Sequence, residues 1–140
     1  MRDELAAVAG GFAATAGIVL VLFAGDALTG YRTRSFAALA AFVSAQGTPS
    51  VGFLLFAAVG VLAWPLVFVS LLEYLPGGTD VVRGAVFGAP LWIGYAVVFG
   101  AYTRSPVLFV VVTVVGHLAY GALLGLVYGT LGDHTLPGSS

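Results

Sequence analysis

The chain has no cysteine and no lysine, and only 8% of its 140 residues are charged. The absence of cysteine excludes disulfide bonds, thiolate metal ligands and cysteine nucleophiles. A net charge of −1 provides no basic surface for nucleic acid. Soluble domains carry about 25% charged residues, so the low charge content excludes an ordinary soluble domain. The remaining composition, 60% hydrophobic with a mean hydropathy of +1.07, is typical of an integral membrane protein.

Uncharged runs are long enough to cross a bilayer, whose hydrocarbon core of about 30 Å needs about 20 apolar residues in a helix. They predict an all-α integral membrane four-helix bundle that forms one transmembrane domain over residues 1–140. The clearest run is the last, which contains no Asp, Glu, Lys or Arg. The predicted spans cover residues 5–25, 51–72, 84–102 and 106–132.

The first run has a second interpretation, as a secretory signal peptide. A signal peptide needs a positive amino-terminal region and an apolar region of about 7–15 residues. Here Arg2 is offset by Asp3 and Glu4, and the uncharged run that follows is longer than such a region. We therefore predict a membrane-spanning helix rather than a cleaved leader.

A shorter helix is predicted between the first and second spans, over residues 35–46. Ser35 is a suitable N-cap, and apolar residues recur on one face at helical spacing. The segment is too short to span the bilayer. It is either an amphipathic helix along the membrane interface, with Arg32 and Arg34 near the headgroups, or a loop helix packed on the bundle.

Small residues at four-residue spacing predict where the helices pack. Lipid tails are as apolar as leucine, so membrane helices associate through close backbone packing and polar contacts. The fourth span is expected to pack through its glycines against the first or the third span, within one chain or between copies. The glycines with this spacing are Gly84 and Gly88 in the third span and Gly121, Gly125 and Gly129 in the fourth.

Prolines inside the second and third spans are expected to kink them. Proline has no N–H and clashes with the carbonyl four residues earlier, so Pro65 frees the carbonyl of Val61. Pro90 frees that of Val86 in the same way. These carbonyls are candidate acceptors for polar side chains near the middle of the membrane. With the midpoint of each span at the bilayer centre, a polar layer is predicted from Thr15, Trp64, Trp92, Tyr95, His117 and Tyr120.

His117 is the one ionisable side chain predicted deep within a span, which makes it a functional hypothesis by default. It is a hydrogen-bonded neutral imidazole, a ligand or proton site, or a haem or metal ligand. The first is favoured, because an imidazole donates one hydrogen bond and accepts another, and Thr113 and Tyr95 are candidate partners. A haem site normally needs a second histidine, and because His134 lies in the carboxy-terminal tail and cannot reach this depth, only a dimer could supply it. No catalytic, cofactor or metal site is predicted, and therefore no enzyme.

The arginines indicate how the chain is oriented in the membrane. With an even number of spans, both termini lie on one side of the membrane. That side carries Arg2 and Arg83, and the opposite side carries Arg32, Arg34 and Arg104. Arginine favours the cytoplasmic side, so the distribution favours termini outside a cell membrane that the chain crosses several times.

Short stretches of the chain together resemble a known family. They are Ala63-Trp64-Pro65-Leu66 with the exit Glu73-Tyr74-Leu75-Pro76-Gly77-Gly78, the pair Leu91-Trp92, and Gly116-His117-Leu118-Ala119-Tyr120-Gly121 with Gly125 and Tyr128. The chain resembles an uncharacterised family of small four-helix membrane proteins from halophilic archaea. The resemblance implies a four-helix bundle in an archaeal cell membrane, and it implies no activity. The absence of lysine agrees with it.

The favoured function is an accessory or assembly partner of a larger membrane complex, because the spans are nearly uncharged, the loops are short and the glycines favour packing. The alternative is a small homo-oligomeric transporter or channel with a mid-membrane polar site around His117. Kinked helices favour the alternative, since broken helices often form binding sites in transporters. The predicted partners are the lipid bilayer and either a larger complex or further copies of the chain.

Overall fold

The computed structural model describes residues 2–30, 47–100 and 105–132, together with Ala37 and Ala41. Within these residues the chain forms four helices long and apolar enough to cross a membrane, and no strand. The predicted all-α membrane architecture is therefore confirmed. The helices are α1 (Arg2–Thr29), α2 (Pro49–Tyr74), α3 (Asp80–Phe99) and α4 (Pro106–Leu131). The helix predicted over 35–46 lies outside the described residues, apart from those two alanines.

Local sequence signals begin and end these helices. Gly30 adopts a φ of +70°, which glycine tolerates, and its N–H donates back to the last turn of α1 at 2.8 Å. Pro49 and Pro106 stand in the first turns of α2 and α4, where an N–H has no helical partner to lose. Thr79 caps α3, because its hydroxyl accepts a hydrogen bond from the N–H of Val82 at 3.3 Å.

The central helix of the bundle is α4. It packs along α1 on one side and along α3 on the other, whereas α2 packs mainly on α1. In their most apolar stretches, 44% of α4 and 39% of α1 is buried inside the protein, against 17% for each of α2 and α3. The outer pair, α2 and α3, therefore presents most of its apolar surface to the surroundings.

Aromatic side chains fill the interior between α2, α3 and α4. Phe68 of α2 is fully buried, and its ring centroid lies 5.5 Å from that of Phe87 and 5.7 Å from that of Tyr128. Leu124 of α4 is also fully buried and faces Gly10 of α1. These contacts fill the interior near the end of the bundle where α1 and α3 begin. The polar groups of the interior lie between the two ends of the bundle.

Candidate functional site

The backbones of α3 and α4 touch through glycines. A methyl group at Gly84 would overlap the carbonyl oxygen of Gly121, and one at Gly121 would overlap that of Gly84. A methyl group at Gly88 would overlap the carbonyl oxygen of His117. Close approach of this kind maximises van der Waals contact between helices in a bilayer. It also holds the backbone at His117 directly against α3.

The same face of α4 stays close to α3 as far as its last turn. Gly125 faces the carbonyl oxygen of Asp80, and a Cβ at Gly129 would lie 2.9 Å from the carboxylate of that residue. A carboxylate oxygen of Asp80 also lies 3.7 Å from a guanidinium nitrogen of Arg83, in the next turn of α3. On the opposite side of α4, a Cβ at Gly10 of α1 would lie 3.0 Å from an α4 carbonyl oxygen. Both neighbours of α4 therefore approach it at backbone distance.

A hydrogen-bond network joins α3 to α4 at the level of His117. Trp92 Nε1 donates to Thr113 Oγ1 at 2.9 Å, and this hydroxyl donates onward to the carbonyl oxygen of Phe109 at 2.6 Å. His117 Nδ1 lies 2.7 Å from the carbonyl oxygen of Thr113. Because a carbonyl oxygen only accepts, Nδ1 carries the proton. Thr113, which links these bonds, is only 1% exposed, and Trp92 is half-buried.

The second ring nitrogen of His117 has a different environment. In the neutral ring the proton is on Nδ1, so Nε2 carries a lone pair. Within the described part of the chain, His117 makes no second hydrogen bond. The imidazole lies against Tyr95, with ring centroids 4.9 Å apart, and Tyr95 in turn contacts Phe99 and Phe109. Such a nitrogen accepts hydrogen bonds or binds a metal ion. Among the described residues, however, no group of three or more His, Cys, Asp or Glu is placed to hold a metal.

The winding of α2 changes near its middle. The N–H of Trp64 donates to the carbonyl of Val59, five residues earlier, instead of to the carbonyl four residues earlier. One wide turn of this kind is a π-helix, and such turns are frequent at functional sites. The successive segments of α2 are an α-helix over Pro49–Ala58, a π-helix over Val59–Ala63, an α-helix over Trp64–Leu71 and a 3₁₀ turn over Leu72–Tyr74.

The π-helix determines which carbonyl Pro65 leaves free. In the five-residue register, the donor to the carbonyl of Gly60 would be residue 65, and proline has no N–H. Tyr120 of α4 replaces this donor, because its hydroxyl donates to the Gly60 carbonyl oxygen at 2.5 Å. The bond lies in the interior, since Tyr120 is 3% exposed. With the α-helical register expected from the sequence, the free carbonyl is that of Val61, so the π-helix moves it by one residue.

The first helix lies against the π-helix through Gly11 and Thr15. A Cβ at Gly11 would overlap Pro65 and lie 2.7 Å from the carbonyl oxygen of Val61 and 2.9 Å from that of Gly60. One turn later, Thr15 Oγ1 occupies the space that a side chain at Gly60 would need. Thr15 is 7% exposed, and Oγ1 has no hydrogen-bond partner among the described residues.

The polar side chains predicted at mid-membrane occupy separate places. Trp92 and Tyr95 of α3 lie with His117 of α4, whereas Thr15 of α1 and Tyr120 of α4 meet at the π-helix. Trp64 lies on the outer surface of α2, 39% exposed, and Pro90 is exposed on α3. Gly60 is not predicted as a site residue from the sequence. Its only signal is its position five residues before Pro65, and this spacing matters only once the π-helix is known.

These features define a class of protein: a small integral membrane four-helix bundle with buried, hydrogen-bonded polar groups and a π-helix in one span. The family described as "Family of unknown function (DUF6789)" matches residues 1–137, and the chain belongs to this family. No curated protein and no solved structure matches the chain. The resemblance to a family without an assigned activity is thus confirmed, and the origin in halophilic archaea stays a prediction.

Proposed function

We propose that the protein is an accessory or assembly partner that binds another membrane protein through the outer surface of its bundle. The proposal rests on one observation: polar groups of the interior bond to other groups of the same chain. Trp92 donates to Thr113, His117 pairs with the Thr113 carbonyl, and Tyr120 donates to the Gly60 carbonyl. The bonds of Trp92 and Tyr120 join different helices, whereas a conducting path needs polar groups that face an open channel.

The outer face of α3 suits a second membrane helix. Ile93 and Val97 are 56% and 77% exposed, and between them lies Gly94, where an added Cβ would meet nothing within 4 Å. Pro90 is exposed one turn earlier. A small residue between branched apolar neighbours lets another helix approach closely, which is how helices associate in a bilayer. We take this surface, formed by Pro90, Ile93, Gly94 and Val97 of α3, as the partner face.

The variant Gly94→Leu tests the partner face without disturbing the bundle. We expect wild-type protein, purified from native membranes in mild detergent, to carry a larger membrane protein in stoichiometric amount. Gly94→Leu should lose this partner and keep the stability of the wild type. Val115→Leu is the matched control, since Val115 is 51% exposed on α4 and the change adds bulk away from the partner face. Recovery of a bare monomer, or a Gly94→Leu protein that keeps its partner, would refute the proposal.

A homo-oligomeric transporter or channel is the second candidate. The observation in its favour is the Nε2 atom of His117, which has no hydrogen-bond partner in the described part of the chain. The sequence predicts His117 near the middle of its span, which is where transporters bind their solutes. Solute flux through proteoliposomes is the test, with His117→Ala and Tyr95→Phe as variants. Flux that neither change affects would remove this candidate, and so would a wild-type protein that carries no flux.

We further propose that the glycines shared by α3 and α4 drive their association, and that both termini face the outside of an archaeal cell membrane. The arginine distribution supports the orientation of the termini. The absence of lysine supports the archaeal membrane. Because the chain has no cysteine, single substitutions can report orientation. Gly78→Cys, in the exposed turn before α3, should react with an impermeant maleimide added to intact cells, and Thr48→Cys, before α2, should not. The reverse pattern would place the termini inside.

A further inference from the structure

Most serine and threonine side chains within the described helices bond to their own backbone, and Thr15 departs from this pattern. Thr29, Ser70 and Thr113 donate to the carbonyl four residues earlier, at 2.5, 2.8 and 2.6 Å, and Thr130 donates to the carbonyl three residues earlier at 3.0 Å. Thr15 makes no bond of either kind to the described residues, although it is only 7% exposed. A buried hydroxyl without a partner is unfavourable, so its orientation away from the α1 backbone indicates a partner elsewhere.

Backbone oxygens with unused bonding capacity lie beside this hydroxyl. The Gly60 carbonyl oxygen accepts from the hydroxyl of Tyr120, and a carbonyl oxygen has a second lone pair. The oxygens of Gly60 and Val61 lie 2.9 and 2.7 Å from the Cβ position of Gly11, so both point at α1 within one turn of Thr15. Thr15 Oγ1 itself contacts Gly60. Donor and acceptors therefore converge where α1 crosses the π-helix.

We propose that this crossing binds one water molecule in the middle of the membrane. Thr15 Oγ1 donates to the water, and the water donates to the carbonyl oxygens of Gly60 and Val61. Ordered water inside proteins makes about three hydrogen bonds, typically to groups that the protein itself leaves unsatisfied. Water at the crossing thus adds a second donor to the Gly60 carbonyl, whose helical donor is missing in the π register because Pro65 has no N–H.

The charge of the surroundings favours water over a cation. Hydroxyl and carbonyl oxygens are also the ligands of small cations, so the oxygen set alone does not distinguish the two. Residues 5–25, 49–72 and 106–132, which surround the crossing along α1, α2 and α4, contain no Asp, Glu, Lys or Arg. A cation without a counter-charge is far more costly to bury at the centre of a bilayer than a neutral water molecule.

Nuclear magnetic resonance of the labelled full chain in lipid nanodiscs tests the proposal. Magnetisation should pass from water to Thr15 and to the amide groups around Gly60 in the wild type. Thr15→Ser keeps the hydroxyl and should keep this transfer. Thr15→Val keeps the shape of the side chain and should abolish it.

The stability of Thr15→Val gives a second readout. The variant is less stable than the wild type if the hydroxyl bonds to water, and it is equally or more stable if the hydroxyl has no partner. If the hydroxyl binds water, Thr15→Val loses a satisfied partner and the unfolding equilibrium constant rises about tenfold. Thr130→Val is the matched control, because that exposed threonine bonds its own helix, and we expect a change within about twofold.

Three results would overturn the water site. A Thr15→Val protein as stable as the wild type, or more stable, would show that the hydroxyl is unpaired. A less stable Thr15→Val protein without water transfer in the wild type would show that the partner is a protein group. Stability that rises with sodium chloride but not with choline chloride, and falls back in Thr15→Val, would show that a cation occupies the crossing.

Discussion

The hydrogen bond from Tyr120 to the Gly60 carbonyl joins α4 to α2, and its removal makes a quantitative test of the π-helix. Tyr120→Phe removes the hydroxyl and keeps the ring in its buried place, 3% exposed. The Gly60 carbonyl then loses the donor that replaces the absent N–H of Pro65. Hydrogen bonds between membrane helices average about 0.6 and reach about 1.7 kcal/mol. Because this carbonyl has no helical donor to fall back on, we expect about 1.5 kcal/mol, near the upper membrane value.

The variant Pro65→Ala supplies the critical comparison. Alanine restores an N–H at position 65, which can bond the carbonyl of Gly60 in the π register or that of Val61 in the α-helical register. In the Pro65→Ala background, Tyr120→Phe should therefore cost about 1 kcal/mol less than in the wild type. Pro65 is fully buried against Gly11, so its replacement has a packing cost of its own, which the double-mutant cycle subtracts.

Reversible unfolding in mixed lipid and detergent micelles, followed by circular dichroism, gives the free energy of unfolding for the four proteins of the cycle. Tyr74→Phe is the control for losing a tyrosine hydroxyl, because Tyr74 is 74% exposed, and we expect no measurable change. An equal cost of Tyr120→Phe in the wild-type and Pro65→Ala backgrounds would refute the reasoning, because Pro65 would then have no part in freeing the Gly60 carbonyl.

Other substitutions test the contacts between α3 and α4 by the same unfolding measurement. Gly84→Ala should destabilise by about 1–3 kcal/mol, because its methyl group overlaps the Gly121 carbonyl oxygen, while Gly94→Ala, in open space, should be neutral or slightly stabilising; equal effects would contradict the close contact. Trp92→Phe and Thr113→Val each break the 2.9 Å bond between these two side chains, so their combined cost should fall short of the sum by about 0.5–1.5 kcal/mol. Additive costs would mean that the bond contributes nothing to stability.

The glycines and His117 show which contacts of the interior could be predicted from the sequence. Four-residue spacing on α4 identified a face, but both α1 and α3 carry small residues that suit it. The structure sets this face against α3, with Gly121 at Gly84, and leaves Gly10 of α1 to meet the opposite side. For His117, the Thr113 partner one turn earlier could be named in advance because it lies on the same helix.

The sequence by itself determined the helices. In lipid every backbone N–H and C=O must be satisfied within the protein, so each long uncharged run has to form a helix whatever its neighbours are. The positions of the prolines and the scarcity of charged residues are read directly from the amino-acid sequence. For this reason the all-α membrane architecture was predictable without knowledge of any tertiary contact.

Only the tertiary structure decided how α2 is wound and which of its groups face inward. The π-helix, the choice of Gly60 over Val61 and the outward position of Trp64 all depend on the packing of α2 against α1 and α4. The donor that satisfies Gly60 stands 60 residues away in the chain. Hydrogen bonds within a helix are local and can be inferred from the sequence, whereas this replacement requires helices distant in sequence to meet, which no local pattern encodes.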